Sequence, residues 1–209
     1  MLIKNNKTAK KSIFKSHYHS LKNKTKKHHH VENEYTLTQF KIYDENIEKI
    51  KRNYKSPTDC VINAMEIIGM LDFYSANLLR ISCVGQGSGI DQYQIKKIFS
   101  LYYGYDYVFK EIKSYIDFIK IINTELEPGN VLFAGYRDIK GFKHVFLIGR
   151  LLSGDFVYID SQTVDPMCNL TTNPDCENFI NNKLNYYILK NGNHKLSKLK
   201  MIKYGFQYM

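Results

Sequence analysis

The sequence of 209 residues has no tryptophan, only four prolines and twelve glycines, and no apolar run approaching 18 residues. Runs that short exclude a membrane-spanning helix, which needs about 20 consecutive apolar residues. So few glycines exclude a collagen repeat. With 44% hydrophobic and 24% charged residues, the composition also excludes a wholly disordered chain and a coiled coil. No internal repeat is present. Cysteine is scarce as well: Cys60, Cys83, Cys168 and Cys176 include no C-x-x-C pair. A domain of this size does not depend on disulfide staples. The four are therefore expected as reduced thiols in a reducing compartment, the cytoplasm of a cell or infected host, or a virion. The opening MLIKNNKTAKKSIFK lacks an apolar core segment, so no secretory leader is expected.

Acidic residues are missing from the first thirty positions, which hold nine lysines and five histidines. That segment contributes +9 to a net charge of +10, so residues 31–209 are almost neutral. The chain divides into a flexible basic arm, residues 1–30, and a globular domain, residues 31–209, long enough for one hydrophobic core. The arm suits nucleic acid or an anionic surface, or is simply a solvated tail. With only Phe14 and Tyr18 in it, base stacking is not indicated. Lysine far outnumbers arginine, and asparagine, isoleucine and tyrosine abound. This is the usage of an A/T-rich gene, as in large DNA viruses, protozoa and A/T-rich bacteria.

Residues 31–55 read as a mixed lead-in with weak helical spacing. Ser56-Pro57-Thr58-Asp59 reads as a helix start, with Ser56 as N-cap, Pro57 at the first helical position and Asp59 near the positive end of the dipole. The apolar stripe of Cys60, Ala64, Ile67, Ile68 and Leu71 continues it. Further helices are expected near 75–81, over 90–104 after the loop Gly85 to Gly89, over 114–125 with Ser114 as cap, and near 174–183. Strands are expected over 105–110, after the Pro128-Gly129-Asn130 turn, over 143–151, over 156–160 and over 185–190. The segments from Val131 to Asp160 form an antiparallel meander. Helices precede the sheet, so the fold class is α+β.

Three residues stand where they can carry chemistry. Cys60 lies in the first helical turn, where free backbone N–H groups and the dipole favour the thiolate, the nucleophilic form. The bland alternative is a buried core cysteine. His144 and His194 are the only histidines outside the arm, and His144 opens an apolar strand. It is either a cleft imidazole or a strand-edge residue without a role. Asp160 ends the next strand, and its 16-residue separation from His144 suits a hairpin that makes the two near neighbours on one face. An acid there can hold the Nδ1 proton of His144 and fix its orientation; otherwise it caps a turn. Gln162 is placed to add a hydrogen bond.

Asp59-Cys60 opening an apolar helix, Leu126 to Asn130 before a strand, Gly141 to Gly149 around His144, and Val157 to Gln162 around Asp160 together resemble the papain-like cysteine peptidase superfamily. The style is nearest the compact C39-type peptidases and the papain-fold toxins, which include glutamine deamidases. The resemblance spans residues 54–190. It implies a papain-like fold in which N-terminal helices, the nucleophile at a helix tip, pack on an antiparallel sheet. It also implies Cys60 as nucleophile, His144 as general base and acid, and Asp160 as orienting acceptor. No cofactor is implied. The family often has an oxyanion-donating glutamine about six residues before the cysteine. Here Asn53 stands near that place and is the candidate donor, together with the Cys60 N–H. Val61 replaces the small residue that often follows the cysteine.

The expected activity is therefore a thiol protease cutting peptide or isopeptide bonds. Two alternatives stay open: a protein glutamine deamidase, and an inactive fold member that binds nucleic acid through its arm. A zinc site would need closely spaced ligand pairs. Cys168 and Cys176, eight apart, do not supply one, though they could form a disulfide under oxidation. Cys83 is the alternative nucleophile, but no helix start follows it directly. Gly85-Gln86-Gly87-Ser88-Gly89 lacks the Gly-Lys-Ser/Thr ending of a phosphate loop.

Overall fold

The computed structural model describes residues 37–41, 58–84, 89–138, 143–163 and 167–195. The basic arm, Asn53 and the Gly85 to Ser88 loop lie outside them, as do Ser56 and Pro57. Five helices and one antiparallel sheet of seven strands make up the described fold, an α+β architecture.

The helix bearing Cys60 starts later than the sequence suggests. Helix α1 spans Cys60–Ile67, with Asp59 as N-cap. Its first intrahelical bond runs from Asn63 N–H to the Asp59 carbonyl at 2.9 Å. Asp59 is thus not the third helical residue, and its side chain makes no capping bond. Its carboxylate is drawn instead to Arg80 of the next helix, a tertiary partner no local pattern reveals. The helix closes at Ile68, just before Gly69, whose φ of 69° lies where other residues are strained.

Helix α2 covers Phe73–Val84 and α3 covers Gln92–Tyr103. The start of α3 is a reciprocal capping box: Asp91 accepts from the Gln94 N–H, and Gln94 accepts from the Asp91 N–H. Gly104, with φ of 79°, terminates it. Helix α4, Tyr115–Glu125, begins where expected because Ser114 Oγ accepts from the Asp117 N–H at 3.1 Å. Helix α5 is Pro174–Asn181, capped by Asn173.

The strands are β1 (Gln39–Lys41), β2 (Tyr105–Ile112), β3 (Asn130–Arg137), β4 (Lys143–Arg150), β5 (Phe156–Ile159), β6 (Met167–Asn169) and β7 (Asn185–Lys195). Their order is β2-β7-β3-β4-β5-β6, with β1 paired to β3. The meander β3-β4-β5 matches the sequence expectation. The last strand, β7, inserts between β2 and β3, which no local signal foretells. Phe40 and Lys41, read as part of a weakly helical lead-in, pair instead with Val131 and Asn130 of β3.

Alternation along each strand sends side chains to two faces, and both are covered. One face, with Phe133, Leu147, Val157, Ile159 and Leu189, packs against α1, α2 and α3. The other, with Tyr136, Phe146, Ile148, Tyr158 and Tyr186, packs against α4 and α5. The sheet is therefore the middle of three layers. Each fully buried Phe, Ile or Leu contributes about 1.5–3 kcal/mol of transfer free energy. The double cover explains why β3, buried along nearly its whole length, reads as a continuous apolar run.

Candidate active site

Cys60 stands at the tip of α1, and His144 is the second residue of β4. The two meet around the end of the sheet rather than over its face. Asp160 follows β5 directly. The β4–β5 register pairs Leu147 with Ile159, and one further step sets Phe146 opposite Asp160. His144 is therefore the diagonal neighbour of Asp160 on the same face.

His144 Nε2 lies 2.6 Å from Asp160 Oδ2. This corrects the expectation that Asp160 would hold Nδ1. Nε2 is thus committed to the carboxylate, and the Cys60 side chain acts on the same imidazole. Burial disfavours the charged imidazolium. The hydrogen bonds and charges of Asp160 and Cys60 outweigh it and raise the His144 pKa to about 9.

Asp160 is buried at 5% exposure and fully engaged. Its Oδ2 also accepts from the Tyr158 hydroxyl at 2.7 Å, and its Oδ1 accepts from the Gln162 backbone N–H at 2.9 Å. The bond expected of Gln162 thus comes from its main chain. Burial works against the carboxylate, but His144, Tyr158 and the Gln162 N–H hold its pKa below the usual range. The Asp160 carbonyl accepts from Thr163 Oγ1 at 2.8 Å, closing the turn that fixes it. Tyr158 was not singled out in the sequence. Its position two residues before Asp160 was the available signal, since alternate strand residues share a face.

A second tyrosine flanks the imidazole. The Tyr136 ring lies 5.3 Å from the His144 ring and edge-on to Phe179 of α5 at 6.2 Å. Burial raises the pKa of its hydroxyl, with Asp160 and Cys60 acting in the same direction and Tyr158 opposing them.

On the Cys60 side a buried polar cluster joins α1 to α2. Arg80 donates to Asn63 Oδ1 at 2.6 Å, to Glu66 Oε2 at 2.8 Å and to Asn77 Oδ1 at 3.1 Å. Its Nε stands 3.5 Å from Asp59 Oδ2. Asp59, Asn63 and Glu66 recur at helical spacing and form one polar stripe facing Arg80. Burial raises the Asp59 pKa and Arg80 lowers it, with burial prevailing. The cluster anchors the turn that carries Cys60.

The remaining cysteines are elsewhere. Cys83 lies at the far end of α2. Cys168 and Cys176 are free thiols, and Cys168 accepts a long hydrogen bond from Asn173. Among the described residues no group of three His, Cys, Asp or Glu side chains is placed to hold a metal ion. No described helix is long and apolar enough to cross a membrane. No protein-family model matches the chain, and no curated protein matches its sequence.

The arrangement can deliver a sulfur nucleophile, a proton acceptor in contact with it, and a carboxylate that keeps the acceptor oriented. Cys60 belongs to the first turn of α1, whose N–H groups have no intrahelical acceptor and suit an oxyanion.

Proposed function

We propose that the protein is a papain-like cysteine hydrolase acting on peptide or isopeptide bonds. The observation that supports the reading is the 2.6 Å contact between His144 and Asp160, with the Cys60 side chain acting on the same imidazole. In the first step the Cys60 sulfur attacks the substrate carbonyl and its proton resides on His144. The tetrahedral oxyanion is met by first-turn N–H groups of α1, one donor of this kind lowering the barrier by about 3–4 kcal/mol. The intermediate collapses to a thioester as His144 gives the proton to the departing amine. His144 then takes a proton from water, which attacks the thioester and returns the sulfur. Asp160 keeps the imidazole in place throughout and stabilises its positive charge.

The test is competitive alkylation of the native protein with iodoacetamide, followed by peptide mapping, and an activity screen against peptide and isopeptide libraries. Cys60 should label well ahead of Cys168, and Cys60→Ala should remove all turnover. Equal labelling of the thiols, or turnover surviving Cys60→Ala, overturns the reading. A mass gain of one unit on a target glutamine without chain cleavage would assign the same chemistry to a carboxamide.

A further inference from the structure

Lys183 follows α5, and its ammonium sits over two aromatic faces at once. Its Nζ is 3.9 Å from the Phe179 ring centroid and 4.6 Å from that of Tyr136. Tyr136 in turn packs on the His144 ring. Lysine, tyrosine and imidazole thus form one continuous wall of contacts. Phe179, 42% exposed, leaves the outer edge of that wall open to a ligand. Asp138 acts on the ammonium electrostatically, but among the described residues no carboxylate lies within ion-pair distance of it. Burial against the rings pulls the Lys183 pKa down, so the charge is short of compensation. A ligand carboxylate would supply it.

His144 protonates the leaving amine, so the leaving portion lies on the imidazole side of Cys60. Lys183 is joined to that imidazole through the Tyr136 ring. We infer that Lys183, backed by Tyr136 and Phe179, is a recognition site for a carboxylate on the leaving-group portion of the substrate, either an acidic side chain or a free chain terminus. The inference rests on the hydrolase reading of Cys60 and His144. It adds a preference for acidic substrates that the net positive charge alone would not localise.

The experiment uses the full chain and small thiol reagents, so it does not need the natural substrate. Three probes are compared: iodoacetyl-Gly-Gln amide, iodoacetyl-Gly-Glu amide, and iodoacetyl-Gly-Gln with a free carboxylate terminus. In each the Cys60 sulfur displaces iodide, and the rate at Cys60 is read by peptide mapping. At least one carboxylate probe should react about three- to tenfold faster than the neutral amide, as a single well-placed charge allows, and the margin should shrink in high salt. The faster of the two identifies side chain or terminus. Lys183→Met should bring all three within about twofold, Lys183→Arg should keep the preference, and Lys120→Met on exposed α4 should change nothing. A preference that is absent, or that survives Lys183→Met, overturns the proposal while leaving selective Cys60 labelling intact. Cys60 reacting no faster than Cys168 with any probe overturns the hydrolase reading and this proposal with it.

Discussion

Tyr158 and Asp160 point to the same face of the sheet, and the tyrosine hydroxyl donates to Asp160 Oδ2 at 2.7 Å, the same oxygen that meets His144. Strand geometry alone brings the two together, because residues two apart share a face. The tyrosine thereby supports the carboxylate that orients the imidazole.

Tyr158→Phe keeps the ring packing against Phe146 and removes one donor from a buried carboxylate. A hydrogen bond to a charged group is worth about 1.5–3 kcal/mol. Chemical denaturation should show a loss of that size, and the reactivity of Cys60 should fall about tenfold as the imidazole loosens. Near-native stability with unchanged Cys60 reactivity would argue against the support role.

His144 should titrate near pH 9 by NMR, well above the ordinary histidine value of about 6.5. Because its folded pKa is raised, its contribution to stability is complete below about pH 6.5 and is lost as pH rises through 9. The amount at stake is on the order of 2–3 kcal/mol. His144→Gln should flatten stability across that window. Asp160→Asn should bring the His144 pKa down, since burial then prevails over a weakened hydrogen bond.

Arg80→Met would strand Asp59 and Glu66, both buried, without their cation. Breaking a buried pair in this way costs about 3–5 kcal/mol. Urea unfolding should show it, and the loss should lessen at low pH as the carboxylates protonate. Adding Asp59→Asn and Glu66→Gln to Arg80→Met should recover much of it. If the single variant is as stable as the parent, the cluster does not anchor α1.

Gly135 lies opposite Val145 in the β3–β4 ladder. A methyl group there would stand 2.9 Å from the backbone oxygen of His144. Gly135→Ala should cost about 1–3 kcal/mol and shift the strand that carries the imidazole. Thermal unfolding together with Cys60 labelling rates checks both effects. A silent substitution would show that β4 can move aside freely.

Much of this architecture is visible one element at a time. Ser114 capping α4, Gly104 closing α3 and the Ser153-Gly154-Asp155 turn between β4 and β5 are local chemistry, so reading along the chain locates them. The His144–Asp160 relationship is equally legible, because the hairpin turn sets the register and the register sets the diagonal. The choice of Nε2 over Nδ1 is not, since it depends on how the ring is turned in the assembled site.

What the amino-acid order determined by itself was the helix tip bearing Cys60, the meander bearing His144 and Asp160, and the concentration of positive charge in residues 1–30 ahead of a near-neutral remainder. Capping, periodicity and charge act over a few residues, and each carries its own signal. Tertiary structure alone decided that β7 enters between β2 and β3, that Arg80 takes Asp59 from its own helix, and that Lys183 reaches the Tyr136 ring from 47 positions away. Those contacts close long loops, and their free energy comes from burial and charge pairing in the assembled layers. No short stretch of the chain can encode them.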